Sequence, residues 1–234
     1  VNAVVLGRAS VYMAISPQRI QRNLECVRRR IDRAAARAGR NPASVRLVAV
    51  TKAVGEEEVA VLKSLGVREF GENRVREAAG KIANFQTDCT WHMIGTIQSR
   101  KVRDVVRLFH WVDSVDRVEL AEELDRRCAV AGRTMPILLE VNTTGEQTKH
   151  GFAPEQVPGV LAEVLQLESL QIMGLMTMAP LVADPEEARP AFALLRKLAE
   201  ESRLKELSMG MSNDFEVAVE EGATQVRIGT ALFE

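Results

Sequence analysis

Short runs of β-branched and other apolar residues recur eight times along the chain, and each has the length of one buried strand. The second and seventh runs are weak on their own, but their spacing fits the series. The predicted strands cover Val45–Thr51, Arg68–Gly71, Trp91–Gly95, Trp111–Ser114, Pro136–Asn142, Gln171–Met176, Leu207–Met209 and Gln225–Ile228.

Helical patterns lie between these runs. The first predicted helix, Ser16–Gly39, begins with Ser-Pro, a capping residue followed by proline at the first helical position, and Gly39 suits its C-terminal stop. The spacing of its apolar residues marks one buried face, formed by Ile20, Leu24, Val27 and Ile31. Similar patterns cover Ser99–Phe109, Arg117–Ala131, Pro154–Leu167, Pro185–Leu204 and Phe215–Glu221.

The alternation of strand and helix predicts a parallel sheet with right-handed crossovers. Eight strands are the number that closes into a (β/α)8 TIM barrel, and 234 residues suit one such domain. An open doubly wound sheet is the alternative, but no Gly-x-Gly-x-x-Gly turn follows the first strand. A helix precedes the first strand, whereas the chain nearly ends after the eighth. We therefore expect a single barrel over residues 16–234, an extra N-terminal helix covering the wall left without a full final helix, and a poorly anchored extension over residues 1–15.

Charge and cysteine content narrow the classes of function. The formal net charge is −1, so no overall field favours nucleic acid or an anionic membrane surface. Three widely separated cysteines, Cys26, Cys89 and Cys128, argue against disulfides and structural zinc, and they fit a reducing cytoplasm. No apolar run approaches the ~20 residues of a membrane-spanning helix. We expect a cytoplasmic protein without metal, nucleic-acid or membrane partners.

Lys52 is the most informative polar residue, because it ends the first predicted strand. In a barrel, chemistry collects at the C-terminal ends of the strands. A lysine after a continuous apolar strand points either into the barrel mouth or out to water, and an ordinary surface lysine is the simpler alternative. Partial burial would favour the neutral amine, which is the nucleophile that a Schiff base requires.

The loops after strands seven and eight provide a candidate anion site, where barrels often bind phosphate. Ser208, Gly210 and Ser212 offer hydroxyls and small residues, and glycine lets backbone N–H groups approach an anion. Gly229 and Thr230 form a second small turn. The alternative is two tight turns with no ligand. Together with Lys52, these loops suggest a phosphate on one side of the mouth and an aldehyde on the other.

Arg227 interrupts the apolar eighth strand, and an inward arginine there needs a partner. That partner is either a phosphate or the nitrogen of a bound pyridine ring. Arginine stays protonated, so it would donate to the ring nitrogen and keep it unprotonated. A ring held in this way is a poor electron sink, which discourages demanding carbanion chemistry.

Several motifs, in this order, resemble the pyridoxal 5′-phosphate (PLP) homeostasis protein family of the YggS/PROSC type, and the resemblance covers nearly the whole chain after about Ser16. Trp-His-Met-Ile-Gly at 91–95 with Gln-Ser-Arg-Lys at 98–101 is the most specific of them. The others are Leu-Val-Ala-Val-Thr-Lys at 47–52, Phe-Gly-Glu-Asn at 70–73, Gly-Leu-Met at 174–176, Ser-Met-Gly-Met-Ser at 208–212 with Asp214, and Val-Arg-Ile-Gly-Thr at 226–230. Arg100 and Glu234 depart from the residues expected there, asparagine and glycine.

The resemblance implies the barrel of the alanine racemase class and a role for each site residue. Lys52 would carry PLP as a Schiff base (a covalent internal aldimine), and Arg227 would contact the ring nitrogen. The phosphate site would consist of Ser208, Gly210, Gly229 and Thr230. Three further residues, Asn73, His92 and Met209, would line the pocket.

Two functions compete. The first is a non-catalytic PLP carrier that maintains intracellular PLP and amino-acid pools, with PLP-requiring apo-enzymes as candidate partners and a monomeric state. The second is a PLP-dependent amino-acid racemase, which needs a base on each face of the ring. The alanine racemase class takes its second base from a tyrosine in a separate domain, whereas the one tyrosine here is Tyr12 in the N-terminal extension. His92 or a cysteine would have to substitute, so we expect no enzyme. A nucleic-acid or scaffold role lacks aromatic platforms and a basic balance.

Overall fold

The computed structural model describes residues 15–85, 87–146 and 148–234. Within these residues, eight parallel strands pair in chain order, and the eighth pairs with the first to close a barrel. The strands are β1 (Arg46–Val50), β2 (Glu69–Glu72), β3 (Thr90–Met93), β4 (Trp111–Val115), β5 (Met135–Glu140), β6 (Leu170–Met176), β7 (Glu206–Met211) and β8 (Gln225–Ile228). The predicted TIM barrel is confirmed, and the open sheet is wrong.

Helices surround this barrel. They are α1 (Pro17–Arg37), α2 (Glu56–Ser64), α3 (Val75–Phe85), α4 (Val102–Leu108), α5 (Val118–Val130), α6 (Val157–Val164), α7 (Arg189–Glu201), α8 (Phe215–Glu220) and α9 (Thr230–Phe233). Sequence patterns did not predict α2, α3 or α9. Three glutamates occupy the first turn of α2, α3 turns Lys81 toward the core, and α9 is a single turn, so none of them shows a continuous apolar stripe.

The first helix covers the barrel wall next to the last strand, as predicted. The hydroxyl of Ser16 accepts from the N–H of Arg19 at 3.3 Å, and Gly39 takes a positive φ of 66° just beyond the helix. Helix α1 packs against α8, α9 and α2, and the side-chain amide of Asn23 donates to the carbonyl of Leu232 at 3.1 Å. This helix therefore covers the barrel wall beside α8 and α9.

The predicted extension over residues 1–15 lies outside the described residues except for Ile15, so its poor anchoring stays a prediction. Among the helices that the structure describes, none has the length and apolar character needed to cross a bilayer.

Candidate functional site

Lys52 lies at the mouth of the barrel, in a turn directly after β1. The N–H of Val54 donates to the carbonyl of Thr51 at 3.2 Å, so Lys52 is the second residue of a β-turn. Its side chain is exposed. Of the two orientations that the sequence left open, the exposed one is observed, and partial burial of Lys52 is not. Its amine is accessible to a ligand at the mouth.

Asn73 follows β2 and borders the same mouth. Its side-chain oxygen, Oδ1, is buried and accepts no hydrogen bond from the described residues. A Cβ at Gly95 would lie 2.6 Å from the carbonyl oxygen of Asn73, so the loop after β3 can press against Asn73 only because residue 95 is glycine. This contact fixes the Asn73 backbone beside the mouth and leaves one acceptor available there.

The loops after β7 and β8 lie side by side, as the predicted anion site requires. The N–H of Ala231, in the first turn of α9, donates to the hydroxyl of Ser212 at 3.1 Å. Gly210 lies near the end of β7 with a φ of 90°, and a Cβ there would lie 2.5 Å from the Cβ of Ala218, so the strand needs glycine where it leads into the first loop. Thr230 begins α9 with its side chain exposed at the mouth.

These loops also adjoin the end of β1. A Cβ on Gly229 would lie 3.4 Å from the carbonyl oxygen of Val50, two residues before Lys52. Asp214 precedes α8, but its carboxylate accepts from the N–H of Met211 at 2.6 Å rather than from the helix N-terminus. The loop after β7 is therefore stabilised by a hydrogen bond of its own, next to the strand that leads into Lys52.

Arg227 points into the barrel and is almost fully buried. Its guanidinium donates to the hydroxyl of Ser208 at 2.7 Å and to the carbonyl of Thr177 at 2.8 Å. Burial lowers the pKa of Arg227, although nearby carboxylates, led by Asp113 and followed by Glu140, oppose that shift. Ser208 is fully buried within β7, its observed polar contacts are with Arg227 and Asp113, and its part in phosphate binding stays a prediction.

His92 is buried inside the barrel, between two carboxylates. Its Nδ1 lies 3.0 Å from Oδ1 of Asp113, and its Nε2 lies 2.6 Å from Oε2 of Glu69. Burial by itself would lower the pKa of His92, but the two carboxylates outweigh it and raise the pKa to about 9. The ring therefore carries a proton on both nitrogens at neutral pH.

A continuous polar chain connects His92 with Arg227. The other oxygen of Asp113, Oδ2, accepts from the side-chain amide of Gln225 and, at 3.4 Å, from the hydroxyl of Ser208, which itself accepts from Arg227. Asp113 and Ser208 thus link His92 to Arg227. Sequence reasoning missed Asp113, Glu69 and Gln225, although a polar residue inside an apolar strand, such as Asp113 between Val112 and Ser114, was an available signal.

Met209 lies on the other side of β7 from Ser208. Alternate residues of a strand face opposite ways, and Met209 is fully buried in the apolar core. Any contribution that Met209 makes to the pocket would come from its backbone.

Glu140 ends β5 and is a buried carboxyl that the sequence analysis also missed. Burial, followed by the charge of Asp116, raises the pKa of Glu140 to about 7, while the charge of Arg227 opposes the shift. The region around Arg227 therefore holds one carboxyl that titrates near neutrality.

Two clefts of about 280 Å³ each lie away from this mouth. One lies near the N-terminal ends of β1 and β2, between Arg46 and Glu69, and the other lies against α1 and α8. Neither is lined by Lys52, Asn73 or Arg227. We take the mouth as the candidate functional site, because Lys52, the buried Arg227 and the adjoining loops after β7 and β8 lie at or near the C-terminal ends of their strands.

The fold and this site define a class of protein. Residues 15–234 match the family described as alanine racemase, N-terminal domain. The structure of an alanine racemase from Clostridium difficile superposes with a TM-score of 0.74 at 15% identity, covering 93% of this chain and 57% of that chain, which shows a shared fold.

Closer relatives narrow the class. The chain is 43% identical over 217 residues to the pyridoxal phosphate homeostasis protein of Pseudomonas aeruginosa, covering 92% of this chain and 94% of that one. It is 40% identical to the protein of the same name from Aquifex aeolicus, covering 92% and 96%. PipY of Synechococcus elongatus, solved with PLP bound, is 39% identical with a TM-score of 0.76, covering 88% of this chain and 100% of that one. The chain belongs to the pyridoxal phosphate homeostasis protein family.

Proposed function

We propose that this protein binds PLP at the barrel mouth and serves as a non-catalytic carrier in PLP homeostasis. The observation that carries the proposal is the convergence of three features on one mouth: the exposed amine of Lys52, the buried guanidinium of Arg227, and the adjoining loops after β7 and β8. The PLP-bound structure of PipY, a relative of similar length, supports it.

The residues present fit this cofactor. The unpartnered Oδ1 of Asn73 offers an acceptor to a hydroxyl or other donor of a bound molecule. Gly210 near the end of β7, Gly229 after β8 and Thr230 at the start of α9 border the two adjoining loops, where small residues and backbone N–H groups suit a phosphate. Arg227 is a fixed donor that would face a ring nitrogen and keep it unprotonated, and Ser208 holds Arg227 in place.

The cofactor is held covalently through Lys52 in this proposal. The neutral amine of Lys52 attacks the aldehyde carbon of PLP, a C=N bond forms, and the aldehyde oxygen leaves as water with the two amine hydrogens. The exposure of Lys52 serves a carrier, since exchange with free amines requires access. PLP supplies a reactive aldehyde when bound, and the protein contributes the site that holds it.

The same arrangement argues against turnover. A racemase needs a second base, yet both ring nitrogens of His92 are engaged by carboxylates inside the barrel. Cys26 is exposed on α1, Cys128 is buried on α5, and Cys89 is buried just before β3, so all three lie away from the mouth. Tyr12 lies outside the described residues. PLP-requiring apo-enzymes in the cytoplasm are the recipients that a carrier would serve.

The test of cofactor binding is the variant Lys52→Ala, compared with Lys197→Ala, which changes an exposed lysine on α7. Lys52→Ala should lose the visible absorbance band and the borohydride-trapped adduct while keeping its unfolding midpoint. Lys197→Ala should keep both. A trapped adduct that persists in Lys52→Ala would place the anchor on another lysine.

The test of catalysis uses the PLP-loaded protein with L-alanine and other L-amino acids in deuterated water. We expect a spectral change as the amines exchange, without deuterium at Cα. Multiple turnovers of exchange at about 1 s⁻¹ or faster, absent in Lys52→Ala, would instead identify an enzyme.

A further inference from the structure

Lys81 is a second lysine near the mouth, and it is buried. It lies on the inner face of α3 beside Ala78 and Ile82, where an apolar side chain is the rule. Its ammonium donates to the carbonyl oxygen of Thr51 at 2.6 Å and to Oε1 of Glu72 at 2.8 Å. The pair is almost entirely shielded from water, with side-chain exposures of 10% for Lys81 and 0% for Glu72.

Thr51 connects this ion pair to the turn that carries Lys52. The carbonyl that accepts from Lys81 belongs to the peptide bond joining Thr51 to Lys52, and it also closes the turn by accepting from Val54. The hydroxyl of Thr51 donates to the same Oε1 of Glu72 at 2.7 Å, and the N–H of Thr51 donates to the carbonyl of Gly71 at 3.1 Å. Every polar group of Thr51 is therefore bound.

Stability alone is a weak explanation for this arrangement. Removing two charges from water is unfavourable, and apolar residues of similar size often replace a buried ion pair with no loss of stability. The second oxygen of Glu72, Oε2, has no partner among the described residues, so the carboxylate is not fully compensated. What the pair does determine is the orientation of the Thr51–Lys52 peptide.

We propose that Lys81 and Glu72 are positioning residues that hold the Lys52 turn in the orientation needed for covalent capture of an aldehyde at the mouth. This inference rests on the proposed function and extends it to two residues that do not touch the cofactor. Lys52 is exposed and its amine makes no hydrogen bond or ion pair with the described residues, so its direction depends on the turn that carries it. A turn free to reorient would present the amine in the productive geometry less often.

The first experiment measures two quantities for Lys81→Met and Glu72→Gln: the rate of Schiff-base formation after mixing with PLP, and the affinity for pyridoxine 5′-phosphate, which has no aldehyde. We expect the rate to fall by roughly 10- to 100-fold, the order of effect that misplacing a reacting group produces. The affinity for pyridoxine 5′-phosphate should not change, because the phosphate and ring contacts remain. Lys63→Met, which removes an ion pair with Asp88 on the protein surface, is the matched control and should alter neither quantity.

The double variant Lys81→Met/Glu72→Gln separates positioning from folding. Each single change leaves a buried charge unpaired and lowers the urea midpoint, whereas the double variant leaves none and should recover that midpoint. Its Schiff-base formation should stay slow. Recovery of the rate together with the midpoint would show a structural role only and would overturn the inference, as would a folded single variant that reacts at the wild-type rate.

The outcomes also separate this inference from the proposed function. A wild-type chain that forms no borohydride-stable bond at Lys52 would refute the covalent carrier itself. A wild-type chain that forms the bond, with variants that match it, would refute only the role of Lys81 and Glu72.

Discussion

Replacing His92 should remove most of the pH dependence of stability between about pH 6.5 and pH 9. The ring is fully buried between Asp113 and Glu69, and its pKa rises from 6.5 to about 9 on folding. Between these values the native chain retains a proton that the unfolded chain has lost. His92 therefore contributes stability that is fully present below about pH 6.5 and disappears as the pH rises through about 9.

The structure sets the size of this effect. One pKa unit corresponds to about 1.4 kcal/mol, so a shift from 6.5 to about 9 amounts to roughly 3 kcal/mol across the window. The free energy of unfolding should fall by about 1.4 kcal/mol per pH unit there. In His92→Gln most of this slope should be lost, and what remains below about pH 7 comes from Glu140. That variant should also lose about 3–5 kcal/mol at pH 6.5, because it leaves the carboxylate of Asp113 buried without its cation.

The assay is urea unfolding of the PLP-free protein at half-unit intervals from pH 6 to pH 9. His150→Gln, which changes an exposed histidine, is the matched control and should retain the wild-type slope. A wild-type profile without a slope would mean that His92 is neutral. A His92→Gln profile parallel to wild type would assign the proton to another group.

Three further predictions concern other groups in and near the site. Burial and the charge of Asp116 raise the pKa of Glu140 from 4.5 to about 7, so ionisation opposes folding and stability is lost as the pH rises through that interval. Glu140→Gln should therefore gain roughly 3 kcal/mol over wild type between pH 4.5 and pH 8 in urea unfolding, and superimposable profiles would refute this. Thr230→Val should weaken binding of PLP more than binding of phosphate-free pyridoxal, by about 1.5–3 kcal/mol for one hydrogen bond to a charged group. Ser208→Ala should weaken both ligands equally in the same titration, because it loosens Arg227, and a phosphate-specific loss would return Ser208 to the anion site.

The barrel was predictable because each strand is a local apolar run, and strand count with alternation determines the architecture. Helices α2 and α3 were not predictable in this way, since their inner faces contain Glu58 and Lys81 among the buried residues. Glu58 is satisfied locally, because it accepts from the N–H of Gly55 at the start of its own helix, whereas Lys81 is satisfied by residues of β2 and of the turn after β1.

The candidate site was partly predictable for a similar reason. Lys52, Arg227 and the glycine loops were identified because they end strands, and strand ends of a barrel share one face. The environment of His92 depends on which residues of β2, β3 and β4 face the barrel interior at the same level. The register between these strands determines this, and the sequence pattern does not show the register. The exposure of Lys52 depends on the turn after β1, and the pattern of apolar residues does not predict the direction of that turn.

The first and last strands of the barrel are hydrogen-bonded neighbours, with Val48 of β1 opposite Arg227 of β8. Lys52 follows β1 and Thr230 follows β8. The candidate site therefore spans the seam, which is the pairing of β1 with β8 that closes the barrel. An incomplete barrel that lacks either strand lacks one side of the candidate site. Helix α1 packs at the same seam, because the side-chain amide of Asn23 donates to the carbonyl of Leu232, 209 residues further along the chain. A molecule bound across the seam favours the closed state by mass action. Opening the seam would therefore separate the two parts of the site and release that molecule.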